Sequence, residues 1–325
     1  MKKKLASAAA IAALCVAAAM LAHASRAQQS DHMQNAVSPD CDRACLYGVL
    51  DQYLHALKDK APSEAPWAKF VKNTENNVAL HVGDGLWGTI TGMGDYNLRF
   101  ADPQNGEVGF FGLVDETKST SAFALRLRVE DHKITEVETV IHRPAASEPF
   151  PQHPQLVEKP VFNEMVPPDH RVPRERLIAL ADGYFNTLQL NDGTLFTQFS
   201  DDCNRTENGL QTTHNPDLVK IIPVAGLGCA EQFKMGNYHY DTALRARRFP
   251  LVDEERQLVL AAGFIDHSGA LASFKLTDGT VIDSPMRTPS TLCLLELFRI
   301  QDGKIRQIEA VFISVPYGMP SPWVQ

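Results

Sequence analysis

The chain has 325 residues, a formal charge of −8, and a composition that is 44% hydrophobic and 22% charged. These values exclude a disordered or fibrous polypeptide and leave room for about two globular domains. The acidic balance provides no phosphate-binding surface, so nucleic acid is excluded as an expected partner.

In chain order, Lys2, Lys3 and Lys4 are followed by an apolar run from Ala8 to Leu21 and small residues at Ala24 and Ala27. This is the layout of a secretory signal peptide over residues 1–27, with cleavage after Ala27 or after Ala24 fitting equally well. The run is too short for a membrane span, so no membrane insertion is expected once the signal is removed, and the expected compartment is the periplasm or the exterior. Removal after Ala27 leaves 27 basic against 39 acidic residues. Export permits disulfides, and the expected pairs are Cys41 with Cys45 and Cys203 with Cys229. Cys293, within Thr291-Leu-Cys-Leu-Leu295, reads as a buried small hydrophobe.

An internal repeat organises the rest. Leu46-x4-Asp51-x-Tyr53-Leu54-x2-Leu57 recurs as Leu177-x4-Asp182-x-Tyr184-Phe185-x2-Leu188, at an offset of 131, and both copies carry helical apolar spacing. Thr74-Glu75-Asn76 returns as Thr206-Glu207-Asn208, and Val108–Asp115 returns as Val259–Asp266 with Gly112 and Gly263 in step. The segment Arg128–Glu138 returns as Arg299–Glu309. Each unit therefore opens with a helix and continues with strands joined by tight turns, of which Asp302-Gly303 is the strongest hairpin signal. The expected fold class is α+β: two duplicated domains, each an N-terminal helix packed on a curved antiparallel sheet. Residues 38–143 form the first domain and 174–325 the second. The proline-rich stretch 144–173 between them reads as a linker or surface strap.

A leading helix, a curved sheet and a terminal hairpin of the form R-x-x-D-G-K-I-x-x-[IV]-E, seen at Arg299–Glu309, resemble the nuclear transport factor 2-like superfamily. That superfamily of cone-shaped folds includes ketosteroid isomerase and polyketide cyclase-like proteins. The tandem form, with F-x-x-N-T-E-N-N-V from Phe70 and G-D-G-L-W-G-T from Gly83, also resembles a secreted bacterial and fungal family. The resemblance implies a deep pocket between sheet and helix, but no single chemistry and no particular reaction.

Gly83-Asp-Gly85-Leu-Trp-Gly88 matches G-x-G-x-x-G, but the Thr-Ile-Thr that follows does not open the helix that a dinucleotide needs, so the glycines read as turns that let Trp87 reach over a pocket or an interface. No zinc spacing and no G-x-S-x-G elbow is present, so no metal and no cofactor is expected. Acid/base chemistry or plain binding remains. Read as a strand, Asn237–Leu244 places Tyr238 and Tyr240 on one face and His239 and Asp241 on the other. Glu309 shares a face with Ile305, Val311 and Ile313, and its mate Glu138 shares one with Ile134 and Val140. Each is either a pocket carboxyl or half of an ion pair with Arg299 or Arg128. Asp266 and His267 end the strand Leu258–Ile265 and make either a base with its orienting partner or an exposed turn entry. His214 sits on a loop over the cone mouth. Arg245, Arg247 and Arg248 with Asp253, Glu254 and Glu255 read as a charged outer hairpin.

The expected function is an exported small-molecule enzyme doing metal-free acid/base chemistry, as an isomerase, dehydratase or lyase, on a largely apolar substrate in the second domain. Tyr238 and Tyr240 stabilise an oxyanion, His214, Asp266 or Glu309 moves the proton, and Trp87, Tyr96 and His267 contact substrate. The alternative is a noncatalytic small-molecule-binding or scaffold protein. The expected partner is a small-molecule ligand, and a homodimer is compatible with the chain.

Overall fold

The computed structural model describes residues 41–117, 119–145 and 156–324; the expected signal peptide lies outside the described residues. Helix α1 (Arg43–Lys58) starts where the Asp42 carboxylate accepts the Cys45 amide at 2.9 Å. It buries Leu46, Leu50, Tyr53, Leu54 and Leu57 on one face. After it come β1 (Trp67–Glu75), β2 (Val78–Ala79), the one-turn helix α2 (Leu86–Thr89), β3 (Ile90–Asp102), β4 (Glu107–Glu116), β5 (Ser119–Glu130) and β6 (Lys133–His142). The second half repeats the plan. Helix α3 (Arg174–Leu190) ends at Asn191 in the left-handed conformation. It leads to β7 (Phe199–Glu207), β8 (Leu210–Gln211), α4 (Cys229–Lys234), β9 (Ala243–Asp253) and β10 (Leu258–His267). A small hairpin of β11 (Ser273–Lys275) and β12 (Val281–Asp283) precedes β13 (Ser290–Gln301) and β14 (Lys304–Val315).

The fold is α+β with two six-stranded sheets of matching order, β2-β1-β6-β5-β4-β3 and β8-β7-β14-β13-β10-β9. Both are antiparallel except for one pair each: β1 runs parallel to β6, and β7 to β14. The repeated Thr-Glu-Asn explains how these parallel pairs end. Asn76 and Asn208 both take positive φ, and each amide side chain bonds the partner strand twice. Asn76 binds Ile141 N and O at 2.8 and 3.2 Å, and Asn208 binds Phe312 N and O at 2.9 and 3.1 Å. The side chain thus continues a ladder that the turning backbone has left.

Alternation along β10 defines the layers. Val259, Ala261 and Ile265 pack toward α3, while Leu258, Leu260, Ala262 and Phe264 join a core shared with Tyr96, Leu98, Phe100, Phe111 and Val140 of the first sheet. The described residues therefore stack as helix, sheet, sheet, helix, the sheets meeting back to back. The proline-rich stretch enters this middle layer, where Leu156 and fully buried Phe162 join the shared core.

Three expectations need correction. The β9–β10 hairpin is not an outer surface: Asp253 is buried, accepting Arg43 at 2.6 and 2.7 Å and Ala101 N at 3.2 Å. Strand alternation fails at Ile305 and Ile134, because a register shift near the start of each terminal hairpin turns both residues toward the helix layer, away from Glu309 and Glu138. Residues 236–240 are turns rather than strand, since β9 begins only at Ala243.

Candidate functional site

The polar side chains of the second half converge on the helix-facing side of its sheet. The Cys203–Cys229 disulfide, with Cα atoms 5.7 Å apart, ties α4 to β7 and brings Gln232 over the strand. Arg205, two residues beyond Cys203 and so on the same face, donates from Nη2 to Gln232 Oε1 and to the Tyr238 hydroxyl, both at 2.6 Å. Tyr238 in turn donates to Gln232 at 2.8 Å, while Gln232 donates to the carbonyls of Thr212 and Val224 at 2.6 and 3.0 Å. The turn that carries Tyr238 is held by Asn191, whose side chain accepts Tyr238 N at 2.7 Å.

Tyr240 links this network to a second one. Its ring lies 6.1 Å from Tyr238, 6.0 Å from His267 and 6.1 Å from Phe274 of β11. His267, 1% exposed, holds its Nε2 at 2.8 Å from Asp241 Oδ1. Its Nδ1 is buried without a hydrogen-bond partner among the described residues. Burial pushes Asp241 above the usual carboxylate range against the pull of His267. Burial likewise raises the hydroxyls of Tyr184, Tyr238 and Tyr240. Deeper in the same layer Glu296 is pushed up to about 8 by burial and by Glu207, with Arg205 and Tyr184 opposing.

The sequence-selected residues divide between places. Tyr238, Tyr240 and His267 belong to this layer. Asp266 is part of β10 and points the other way, into the middle layer, bound by Arg245 at 2.7 and 3.1 Å and by the Thr291 hydroxyl, and held below the usual range by Arg245 and Thr291. The partner of His267 is therefore Asp241, not Asp266. Glu309 is also in the middle layer, fully buried, accepting Tyr96 OH at 2.8 and 2.9 Å and Lys159 Nζ at 2.7 Å. Its expected partner Arg299 instead donates to the carbonyls of Arg256 and Glu164. Glu138 takes Arg126 at 3.0 Å and Arg248 at 2.5 Å in place of Arg128. His214 is exposed, with Nδ1 at 2.9 Å from Asn204 Oδ1. Trp87 is buried in the first half against Tyr53 at 5.6 Å and Trp67 at 6.2 Å. The free N-terminal amide of α2 at Leu86 is taken by Glu75 at 2.7 Å, so an internal carboxylate occupies the anion position of the glycine motif. Both expected disulfides are present, and they indicate an oxidising, extracytoplasmic compartment. Among the described residues no helix is long and apolar enough to cross a membrane.

Arg205, Gln232 and Glu296 escaped the sequence reading, and Asp241 entered it only as a strand residue facing away from Tyr238, without a site role. Only Glu296 left a signal, as a lone charge inside Leu294-Leu-Glu-Leu-Phe298.

A domain of unknown function, DUF8021, matches residues 170–312. No curated protein matches the chain. Among solved structures the chain is similar to AclR, a candidate hydroxylase from Streptomyces galilaeus, at 14% identity and a TM-score of 0.27, over 43% of this chain and 91% of that one.

Proposed function

We propose that the protein is exported, that it consists of two nuclear transport factor 2-like cups in tandem, and that the second cup carries out side-chain acid/base chemistry on a small, largely apolar molecule, as an isomerase, dehydratase or lyase. The single observation that carries this reading is the buried Asp241–His267 pair, whose imidazole keeps Nδ1 unpartnered. Asp241, at ion-pair distance from Nε2, stabilises an imidazolium by its charge, leaving Nδ1 to take up and return the substrate proton. Tyr240 beside the ring, with Tyr238 held by Arg205, supplies hydroxyls for a developing oxyanion. Phe274 covers Tyr240, so entry requires the β11–β12 hairpin to lift. Its fastenings are light: Thr277 bonds Lys234 O at 2.7 Å and Met235 O at 3.0 Å.

A second reading, a noncatalytic scaffold, draws on the packing of Tyr184, Phe185, Phe199, Phe233 and Phe298 beside this network. Native mass spectrometry of protein purified from its own host separates the two. A retained small molecule that the wild type consumes, and that His267→Gln consumes on the order of 100-fold more slowly, supports the acid/base reading. Equal consumption by His267→Gln and Asp241→Asn removes the pair from the chemistry. No retained molecule, even in Phe274→Ala, favours the scaffold.

A further inference from the structure

Away from the second cup, we infer that Cys41, Cys45 and His132 form a redox-gated site for a thiolate-preferring metal ion, zinc(II) being the ion the donor set fits. The sulfur atoms and one ring nitrogen all lie within 4.8 Å of one another, and Cys45 Sγ is 3.1 Å from His132 Nδ1. Tetrahedral zinc with Zn–S of about 2.3 Å and Zn–N of about 2.0 Å separates its donors by roughly 3.5–3.8 Å. Cys45 and His132 already stand near that separation, while the two sulfurs, joined as a disulfide, reach it only once the bond is reduced. The fourth position is left for water or an external donor.

The histidine occupies a costly place. It lies in the β5–β6 turn at φ +60°, where the sister turn of the second half has Gly303 at φ +71°. A side chain there costs about 1 kcal/mol relative to glycine. Lys133 onward forms the same strand in both halves without it, so what sets this turn apart is the contact the ring makes. Nor does the cysteine pair belong to the repeated plan. At the helical offset of 131, Val172 and Arg176 stand where Cys41 and Cys45 stand in the first half. The trio is thus an addition confined to one half, assembled from residues 87 apart in sequence. Cys45 is partly accessible and His132 is exposed, which leaves an entry path.

The disulfide is the gate, because joined sulfurs cannot ligate. A dithiol reductant passes two electrons and two protons to the Cys41–Cys45 bond and is itself oxidised to a disulfide. Zinc then displaces the two thiol protons and binds both thiolates and the neutral imidazole. A disulfide oxidant accepts two electrons from the two thiolates and is itself reduced to a dithiol, which re-forms the Cys41–Cys45 bond and releases the ion.

The test uses the full chain with cobalt(II) as a spectroscopic substitute for zinc. Reduced protein should bind one cobalt ion with sulfur-to-cobalt charge-transfer absorption, and added zinc should displace it; oxidised protein should show neither. His132→Gly, which copies the sister turn and so preserves folding, and His132→Asn should each weaken binding about tenfold or more. Cys41→Ser with Cys45→Ser should abolish the bands. The proposal is overturned if reduced protein gives no bands, if both His132 variants bind as the wild type does, or if bands persist in the double serine variant, which would place them at Cys203 and Cys229.

Discussion

Glu296 shows how one buried carboxyl shapes the behaviour of the whole chain. Its folded value is about 8 against an ordinary 4.5, so between those limits the native state holds a proton that the unfolded chain has released. The contribution of Glu296 is therefore fullest below about pH 4.5 and declines as pH rises toward 8. Glu107, raised to about 7 by burial against the pull of Arg126, adds to the decline, whereas Asp266 is lowered and loses its contribution only in acid. Urea titrations at pH 5 and pH 8 should give the wild type a lower midpoint at pH 8, and Glu296→Gln should narrow the gap; an unchanged gap would mean that another group sets it. Asn208→Gly keeps the positive φ but removes the two side-chain bonds to Phe312, for a loss of about 1–3 kcal/mol, and Asn208→Ala should lose more because it adds left-handed strain. Chemical denaturation of the pair of variants gives both numbers.

At the scale of elements, the Cys203–Cys229 link positions α4, and through it Gln232, Arg205 and Tyr238. Closing a segment 26 residues long, it should contribute about 3 kcal/mol. Cys203→Ser with Cys229→Ser should lower the unfolding midpoint accordingly, and should loosen Tyr238 first, which fluorescence quenching or hydrogen exchange of the 229–240 segment detects. Elements were also where sequence reasoning met its limits. Helical spacing at Leu46–Leu57 and Leu177–Leu188 and the turn at Asp302-Gly303 identify α1, α3 and the last hairpin, because those signals are local. Asn237–Leu244 alternates like a strand yet folds as a turn followed by β9, because Asn191 and Gln232 capture Tyr238 from elsewhere in the chain.

The whole molecule depends on its middle layer. Phe162 comes from the proline-rich stretch and is fully buried in the core that both sheets share, and polar groups of each half answer those of the other, as in the Arg248–Glu138 ion pair and the hydrogen bond from Tyr96 to Glu309. Phe162→Ala should cost about 3–5 kcal/mol. Because its neighbours belong to both sheets, calorimetry should show one transition moving down in temperature; two separating transitions would mean that the halves unfold independently. By the same argument, residues 170–317 produced alone would expose Leu260, Phe264, Leu295 and Val311 and should self-associate, a result that size-exclusion chromatography reads directly.

What the amino-acid order determined by itself is what neighbouring residues decide among themselves: two helices, two hairpins, the duplication that relates them, and two cysteine pairs whose members lie near each other in sequence. The tertiary structure decided which face each strand residue meets. A register shift turned Ile305 and Ile134 away from the carboxylates they were expected to flank, and the back-to-back sheets drew Asp266, Glu309 and Tyr96 into a shared core while leaving His267 on the helix side beside Asp241. The reason is that ion-pair partners and burial follow from which strands pair and which sheets meet, as where Arg248 reaches Glu138 across 110 residues of sequence, and no local pattern encodes where such segments cross.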